Sequence, residues 1–122
     1  MAALSFLRLP IDPAEGFPQT FRLALAGRTY QFGLYANVAE EILDGAPGEL
    51  LELPALEAFL VLSVGREEPG GLVPILRRKL VTGVEYPAAE LMVTFRTMLL
   101  DPRNLNGIGA FGSQIVGGVA LR

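Results

Sequence analysis

Apolar and polar residues alternate most regularly in the segment QTFRLALAGRTYQFGLYAN, residues 19–37. On both sides of Ala26 and Gly27 every second residue is large and apolar, which is typical of strands with one face in the core and one in water. Two such runs with a short glycine-containing connection predict a β-hairpin. Because alanine disfavours positive φ, we expect a type I turn with Gly27 in the left-handed position of a G1 bulge, in preference to a two-residue type I′ turn.

Three further segments have strand patterns. The segment ELMVTFRTMLLDP, residues 90–102, alternates β-branched and aromatic residues with polar ones, and Asp-Pro ends it. Residues 58–65 and 71–86 are apolar runs joined by REEPGG. Pro74 within the second run confines it to an edge strand or a β-bulge.

Residues 37–57 lack a regular period. Single helical turns are conceivable at 38–43 and 50–57, but glycine and proline interrupt them and they are too short to be stable alone. We therefore expect loops here, with at most short helices.

Residues 104–121 form a glycine-rich segment without a charged side chain. A membrane-spanning helix needs about twenty predominantly apolar residues, and the glycines and polar side chains here count against one. We expect a turn at Asn106–Gly107 and then a strand from Gln114 to Leu121, in which Gly117 and Gly118 predict a bulge or a close backbone approach. The pattern leaves open whether this strand pairs within its own sheet or with another protein.

These elements predict an all-β fold, or a mainly β fold with one or two short helices. A chain of 122 residues has the length of one domain, and no internal repeat or linker divides it. We expect a single β-rich domain over residues 1–122, built as a small antiparallel sandwich or a partly open barrel. Residues 1 to about 16 would form an N-terminal arm or the first strand.

The amino-acid composition mainly excludes classes of function. The chain has no histidine and no cysteine, so Ser-His and Cys-His nucleophile pairs and metal sites ligated by these residues cannot form within it. A net charge of −3 gives no global positive field for a nucleic acid. We predict a protein that is not an enzyme, without catalytic, cofactor-binding or metal-binding residues, without a cofactor, and without specificity for nucleic acid.

Carboxylates are the remaining candidates for chemistry. An acidic stretch contains Glu40, Glu41, Asp44, Glu49, Glu52 and Glu57. A glycan hydrolase needs two well-placed carboxylates, but these residues flank glycines and prolines, where acidic side chains are ordinary solvating groups. The motif GIGAFG at 107–112 matches G-x-G-x-x-G without a surrounding βαβ unit, so we do not expect nucleotide binding.

The chain is more apolar than is usual for a soluble monomer of its size, with 51% apolar and 19% charged residues. We therefore expect part of its surface to contact a partner. The candidate interface residues are Ile108, Phe111, Ile115, Val116 and Val119 of the C-terminal segment and Arg77, Arg78 and Lys79 of the only basic cluster. The basic cluster has an alternative interpretation as a solvated strand edge that discourages wrong pairing.

The compartment can also be predicted. The absence of cysteine favours the cytoplasm over a disulfide-stabilised secreted fold. The opening MAALSFLRLPID has no basic n-region and no long apolar run before Arg8 and Pro10, so we expect no signal peptide.

The predicted hairpin resembles a known family. The pattern Gln19-x-Phe21-x-Leu23-x-Leu25-x-Gly27-x-x-Tyr30-x-Phe32-x-Leu34-x-x-Asn37 is similar to the opening hairpin of small β-rich phage proteins typified by the baseplate plug of contractile-tailed bacteriophages. The resemblance covers about a sixth of the chain.

This resemblance implies a structural, non-enzymatic part of a phage tail baseplate, bound to the hub near the tail axis and helping to plug or close the central channel. The implied partners are hub, spike or tape-measure proteins and possibly further copies of the chain, with no role for a membrane. The implied location is the virion, after synthesis in the host cytoplasm. Two alternatives stay open, namely a small β-barrel that binds an apolar ligand and a carboxylate-dependent glycan hydrolase.

Overall fold

The structure is a computed structural model that describes residues 5–39, 50–102, 105, 109 and 112–122. The strands are β1 (Leu7–Arg8), β2 (Gln19–Leu25), β3 (Arg28–Val38), β4 (Leu51–Glu52), β5 (Ala58–Glu68), β6 (Gly71–Lys79), β7 (Glu85–Ala88), β8 (Leu91–Leu100) and β9 (Gln114–Leu121). A 3-10 helix at Pro13–Glu15 lies between β1 and β2. Within the described ranges, no helix is long and apolar enough to cross a membrane.

The strands form two antiparallel sheets over one hydrophobic core. Sheet I has the order β1, β9, β8, β4, with β7 also paired to β8, and sheet II has the order β2, β3, β5, β6. Inward side chains of both sheets, such as Phe32 and Leu62 of sheet II and Phe95 and Leu91 of sheet I, are fully buried in a single cluster. The predicted all-β fold is confirmed as an antiparallel sandwich that is not closed into a barrel.

The hairpin predicted for residues 19–37 is confirmed, but its predicted turn is wrong. The register of β2 and β3 is continuous and ends at the pair Leu25 and Arg28, so only Ala26 and Gly27 form the loop. Both have positive φ, at 49° and 79°, which is the geometry of a type I′ turn. Primed turns match the right-handed twist of the strands, and this match holds Ala26 in the left-handed region.

We expect Ala26→Asn to raise the free energy of unfolding by roughly 0.5–1 kcal/mol, because asparagine tolerates the left-handed region better than alanine does. Urea denaturation measures the change. Ala24→Asn is the matched control at an exposed, extended position of β2, and it should be neutral or slightly destabilising. A loss of stability in Ala26→Asn would contradict this turn.

Gln19 connects the start of this hairpin to the preceding loop. Its side chain is buried, and its amide nitrogen donates to the carbonyl oxygens of Asp12 and Gly16 at 2.9 and 2.8 Å. Its amide oxygen accepts a hydrogen bond from the backbone nitrogen of Asp12 at 3.1 Å. A buried polar side chain is thereby satisfied by backbone groups, which explains a glutamine at the first position of the hairpin.

The second hairpin of sheet II joins β5 and β6 through Pro69 and Gly70, a shorter turn than the predicted REEPGG. β6 is the edge strand of sheet II, and its register with β5 shifts beside Pro74. Pro74 therefore lies on an edge strand and next to a bulge, as predicted. The predicted single run 71–86 is wrong, because β6 ends at Lys79 and the chain crosses to sheet I through the buried Leu80.

The described part of 37–57 contains the end of β3, the short strand β4 and bends. No helical turn forms at 50–57, so the loop expected there is found, apart from the short strand β4, which was not predicted. Most of the turn considered at 38–43 lies outside the described residues, as do Asn106–Gly107 and most of the GIGAFG motif.

The C-terminal strand β9 has the predicted bounds and pairs with β8 and β1 inside sheet I. The bulge lies on the neighbouring strand β8, where the register shifts between Phe95 and Thr97 opposite Gly117. A Cβ on Gly117 would lie 2.6 Å from the Phe95 ring, so the predicted close approach is confirmed.

Candidate functional site

The outer face of sheet II has an open groove of about 490 Å³. It lies over the two central strands near Gly33 and Gly65, which have no side chain of their own. Its walls include Tyr35 of β3 and Leu72 of β6, which are 41% and 51% exposed. The groove thus has exposed apolar walls and a floor kept low by small residues of the central strands.

The strand register explains the low floor. Gly33 is paired with Thr20 on β2 and with Ser63 on β5, so three small residues follow one another across the sheet. The ring of Tyr35 extends over Gly33, within 3.2 Å of the position that a Cβ would take. Leu72 covers Gly65 in the same way, at 2.6 Å. Each glycine therefore lets a large neighbouring side chain lie against the sheet.

One end of the groove carries paired charges. The guanidinium of Arg22 donates to both carboxylate oxygens of Glu67, at 2.7 and 2.8 Å, and Gln31 donates to the same carboxylate at 3.3 Å. The hydrogen bond from Arg22 holds the pKa of Glu67 below its usual range, and the same bond raises the pKa of Arg22. The lining is therefore close to neutral and suits an uncharged occupant.

Glu90 ties the two sheets together. It follows Ala89 in the turn before β8 and accepts hydrogen bonds from the Tyr30 hydroxyl at 2.6 Å, from Arg66 at 2.7 and 2.8 Å, and from Arg28 at 3.3 Å. The hydrogen bonds from Tyr30 and Arg66 lower the pKa of Glu90 to about 2, and burial raises the pKa of Tyr30 to about 12. This cluster positions β3 and β5, the central strands of the groove.

Of the predicted C-terminal interface residues that the structure describes, two are buried and one is half-buried. Ile115 and Val119 are 3% and 0% exposed and belong to the chain's own core, so in this fold their side chains are not available to a partner. Val116 is half-buried on the outer face of sheet I. Ile108 and Phe111 lie outside the described residues.

The basic cluster lies on the exposed edge strand β6. Arg78 extends over the ring of Tyr86 at 5.6 Å, and Lys79 over the ring of Phe59 at 4.6 Å. Arg77 is exposed and is paired with Ser63 across the strands. Cations, a proline and a bulge on one edge strand are features that discourage further strand pairing, which favours the edge interpretation of this cluster.

The structure describes only part of the acidic stretch. Glu52 and Glu57 are exposed, while Glu40, Glu41, Asp44 and Glu49 lie outside the described residues. Among the residues that the structure describes, no group of three or more acidic side chains could hold a metal ion.

Comparisons of the chain with models of protein families, with curated proteins and with solved structures find no match. The functional argument therefore depends on the geometry of the groove and on the hairpin that forms much of it. Sequence reasoning missed the groove, although Gly33 and Gly65 at outward strand positions were a signal for it.

Proposed function

We propose that the protein is a structural, non-enzymatic subunit of a phage tail baseplate, which binds the hub near the tail axis and helps to close the central channel. The observation that carries this proposal is the groove of sheet II. The hairpin that resembles the baseplate plug family contributes Thr20, Gln31, Gly33 and Tyr35 to its lining. The apolar residues of the family pattern mostly face the core, and the residues between them on the same two strands line the groove.

The chemistry of the groove indicates what it binds. Tyr35 and Leu72 offer apolar area, Thr20 and Ser63 offer hydroxyl groups, and the charge of Arg22 is neutralised within the chain. A volume of about 490 Å³ accommodates a large side chain together with adjoining backbone. We assign the groove to an extended segment of the hub protein that presents an aromatic or branched aliphatic side chain, since such anchors dominate protein interfaces.

The fold gives less support to the alternatives. A ligand-binding barrel needs an internal cavity, whereas the space between these two sheets is filled by buried side chains such as Phe32 and Phe95. A carboxylate-dependent hydrolase needs two convergent acids, and the structure describes only Glu52 and Glu57 of the acidic stretch, both exposed.

The decisive experiment is light scattering coupled to size exclusion, with the protein alone and with a candidate hub protein. We expect a defined complex with the hub. Ser63→Tyr, which places a ring in the groove from a central strand, should weaken the complex at least about tenfold. Ala24→Tyr adds the same side chain at an exposed position of β2 that does not line the groove, and it should bind like the wild type.

Two results would count against the proposal. One is a monomer that forms no complex with the hub. The other is a folded Ser63→Tyr variant that binds the hub as tightly as Ala24→Tyr, because the groove would then not be the contact.

A further inference from the structure

The outer face of sheet I contains a second, smaller cleft of about 250 Å³. Arg8 of β1, Gly118 of β9 and Thr94 of β8 are neighbours in one row across the sheet. Gly118 leaves the middle of this row without a side chain, and Phe6 lies against it with its Cβ 3.0 Å from the position of an added Cβ. The cleft therefore has a backbone floor, an apolar wall and an arginine at its border.

The β-bulge of β8 supplies a second arginine. Phe95 and Met98 are both buried in the core, and the register shift between Phe95 and Thr97 allows for the additional residue. That additional residue, Arg96, is exposed and lines the same cleft as Arg8. Bulges commonly redirect a side chain in this way.

Within the residues that the structure describes, neither of these two arginines is paired with a carboxylate, in contrast to three other arginines of the chain. Arg22, Arg28 and Arg66 form ion pairs with glutamates. In the described part of the chain, no carboxylate forms an ion pair with Arg8 or Arg96. Among the described residues, the fold thus places two guanidinium groups without an ion pair at one cleft of a protein whose net charge is −3.

The remaining polar group of the cleft does not change this charge. The Thr94 hydroxyl donates its hydrogen to the carbonyl oxygen of Val84 at 3.0 Å, so the guanidinium groups are the side-chain donors that remain for a ligand. Guanidinium forks bind planar carboxylates through paired hydrogen bonds. Because the whole chain is acidic, a single compact anion is favoured over a polyanion.

We propose that the Arg8 and Arg96 cleft binds a carboxylate, presented by an aspartate or glutamate side chain of a neighbouring protein. This site is on the opposite sheet from the groove, and it does not depend on what the groove binds. It gives the protein two different contacts, an apolar one on sheet II and a charged one on sheet I.

The proposal is tested on the full chain with glutarate as a probe for a carboxylate side chain, and with inorganic phosphate at equal ionic strength. NMR spectra of the arginine Nε–H groups report binding at each arginine. We expect glutarate to shift the Arg8 and Arg96 signals saturably, and to do so at lower concentration than phosphate. Arg77, an exposed arginine of β6, is the internal control and should not shift saturably.

Variants make the test specific. Arg96→Gln should weaken glutarate binding at least about tenfold, and Arg96→Lys should restore only part of it, because lysine keeps the charge and loses the fork. Arg77→Gln is the matched control and should bind like the wild type. Equal shifts at Arg77, tighter binding of phosphate, or unchanged binding in folded Arg96→Gln would each overturn the carboxylate site.

Discussion

Gly117→Ala is expected to lower the free energy of unfolding by roughly 2–3 kcal/mol. The added Cβ would lie 2.6 Å from the ring of Phe95. Phe95 is fully buried between the sheets, so its ring cannot move away without displacing other core side chains. Urea denaturation monitored by circular dichroism measures the loss.

Gly65→Ala is a close control for this prediction. A Cβ on Gly65 would also lie 2.6 Å from a side chain, that of Leu72. Leu72 is half-exposed on an edge strand, so it can rotate into solvent, and we expect a loss below about 1 kcal/mol. The difference between the two glycines would then come from the freedom of the neighbour and not from the distance.

A double variant tests the contact directly. Phe95→Leu alone leaves a smaller core side chain and should be destabilising, but it also provides room for a Cβ at residue 117. Gly117→Ala with Phe95→Leu should therefore lose clearly less than the sum of the two single variants. Strict additivity, or equal losses in Gly117→Ala and Gly65→Ala, would show that the ring contact does not limit this position.

Glu90→Gln is expected to lower the free energy of unfolding at pH 7 by roughly 1–2 kcal/mol, which is modest because the carboxylate is partly exposed and screened. The wild-type carboxylate accepts charged hydrogen bonds from Arg66 and a short one from Tyr30. Glutamine keeps the size of the side chain and removes the charge. Urea denaturation at a series of pH values measures the effect.

The pH dependence follows from the sign of the pKa shift. Folding lowers the pKa of Glu90 from 4.5 to about 2, so the folded protein favours the charged form. The stabilisation is complete above pH 4.5 and is lost as the pH falls towards 2. The wild type and Glu90→Gln should therefore converge in stability in acid and differ at neutral pH.

Tyr30 makes the stability of the fold depend on pH in alkali. Its pKa is raised from 10.0 to about 12, so the folded state favours the neutral phenol, and this contribution to stability is lost as the pH rises from 10 to 12.

Glu68→Gln is a control for Glu90→Gln, because Glu68 also pairs with Arg66 but is more exposed. Parallel pH curves for the wild type and Glu90→Gln would contradict the assigned role of Glu90.

The alternation of apolar residues was sufficient to predict the hairpin of β2 and β3 and the strand β8, because each has one face in the core. β9 was predicted differently, since the glycines and polar residues of its segment count against a helix. The turn at Ala26 was mispredicted because local preference favours another turn, whereas strand twist decides the geometry. The run 71–86 was mispredicted because a continuous apolar pattern does not show where a chain passes from one sheet to the other.

The sites depend on information that a single sequence does not contain. Gly33 and Ser63 are thirty residues apart in the chain and become neighbours only through the register of β3 and β5. Arg8 and Arg96 meet through β9, which lies between their strands. For Ile115 and Val119, an apolar pattern indicates burial but does not distinguish the chain's own core from the surface of a partner.

The edge strand β6 affects how the protein behaves before it meets any partner. Pro74, the adjacent bulge and the three cations all lie on the last strand of sheet II. This edge of sheet II is therefore a poor template for pairing with the same strand of another copy. We therefore expect β6 to stay unpaired even at high protein concentration, which favours contacts of sheet II through its outer face.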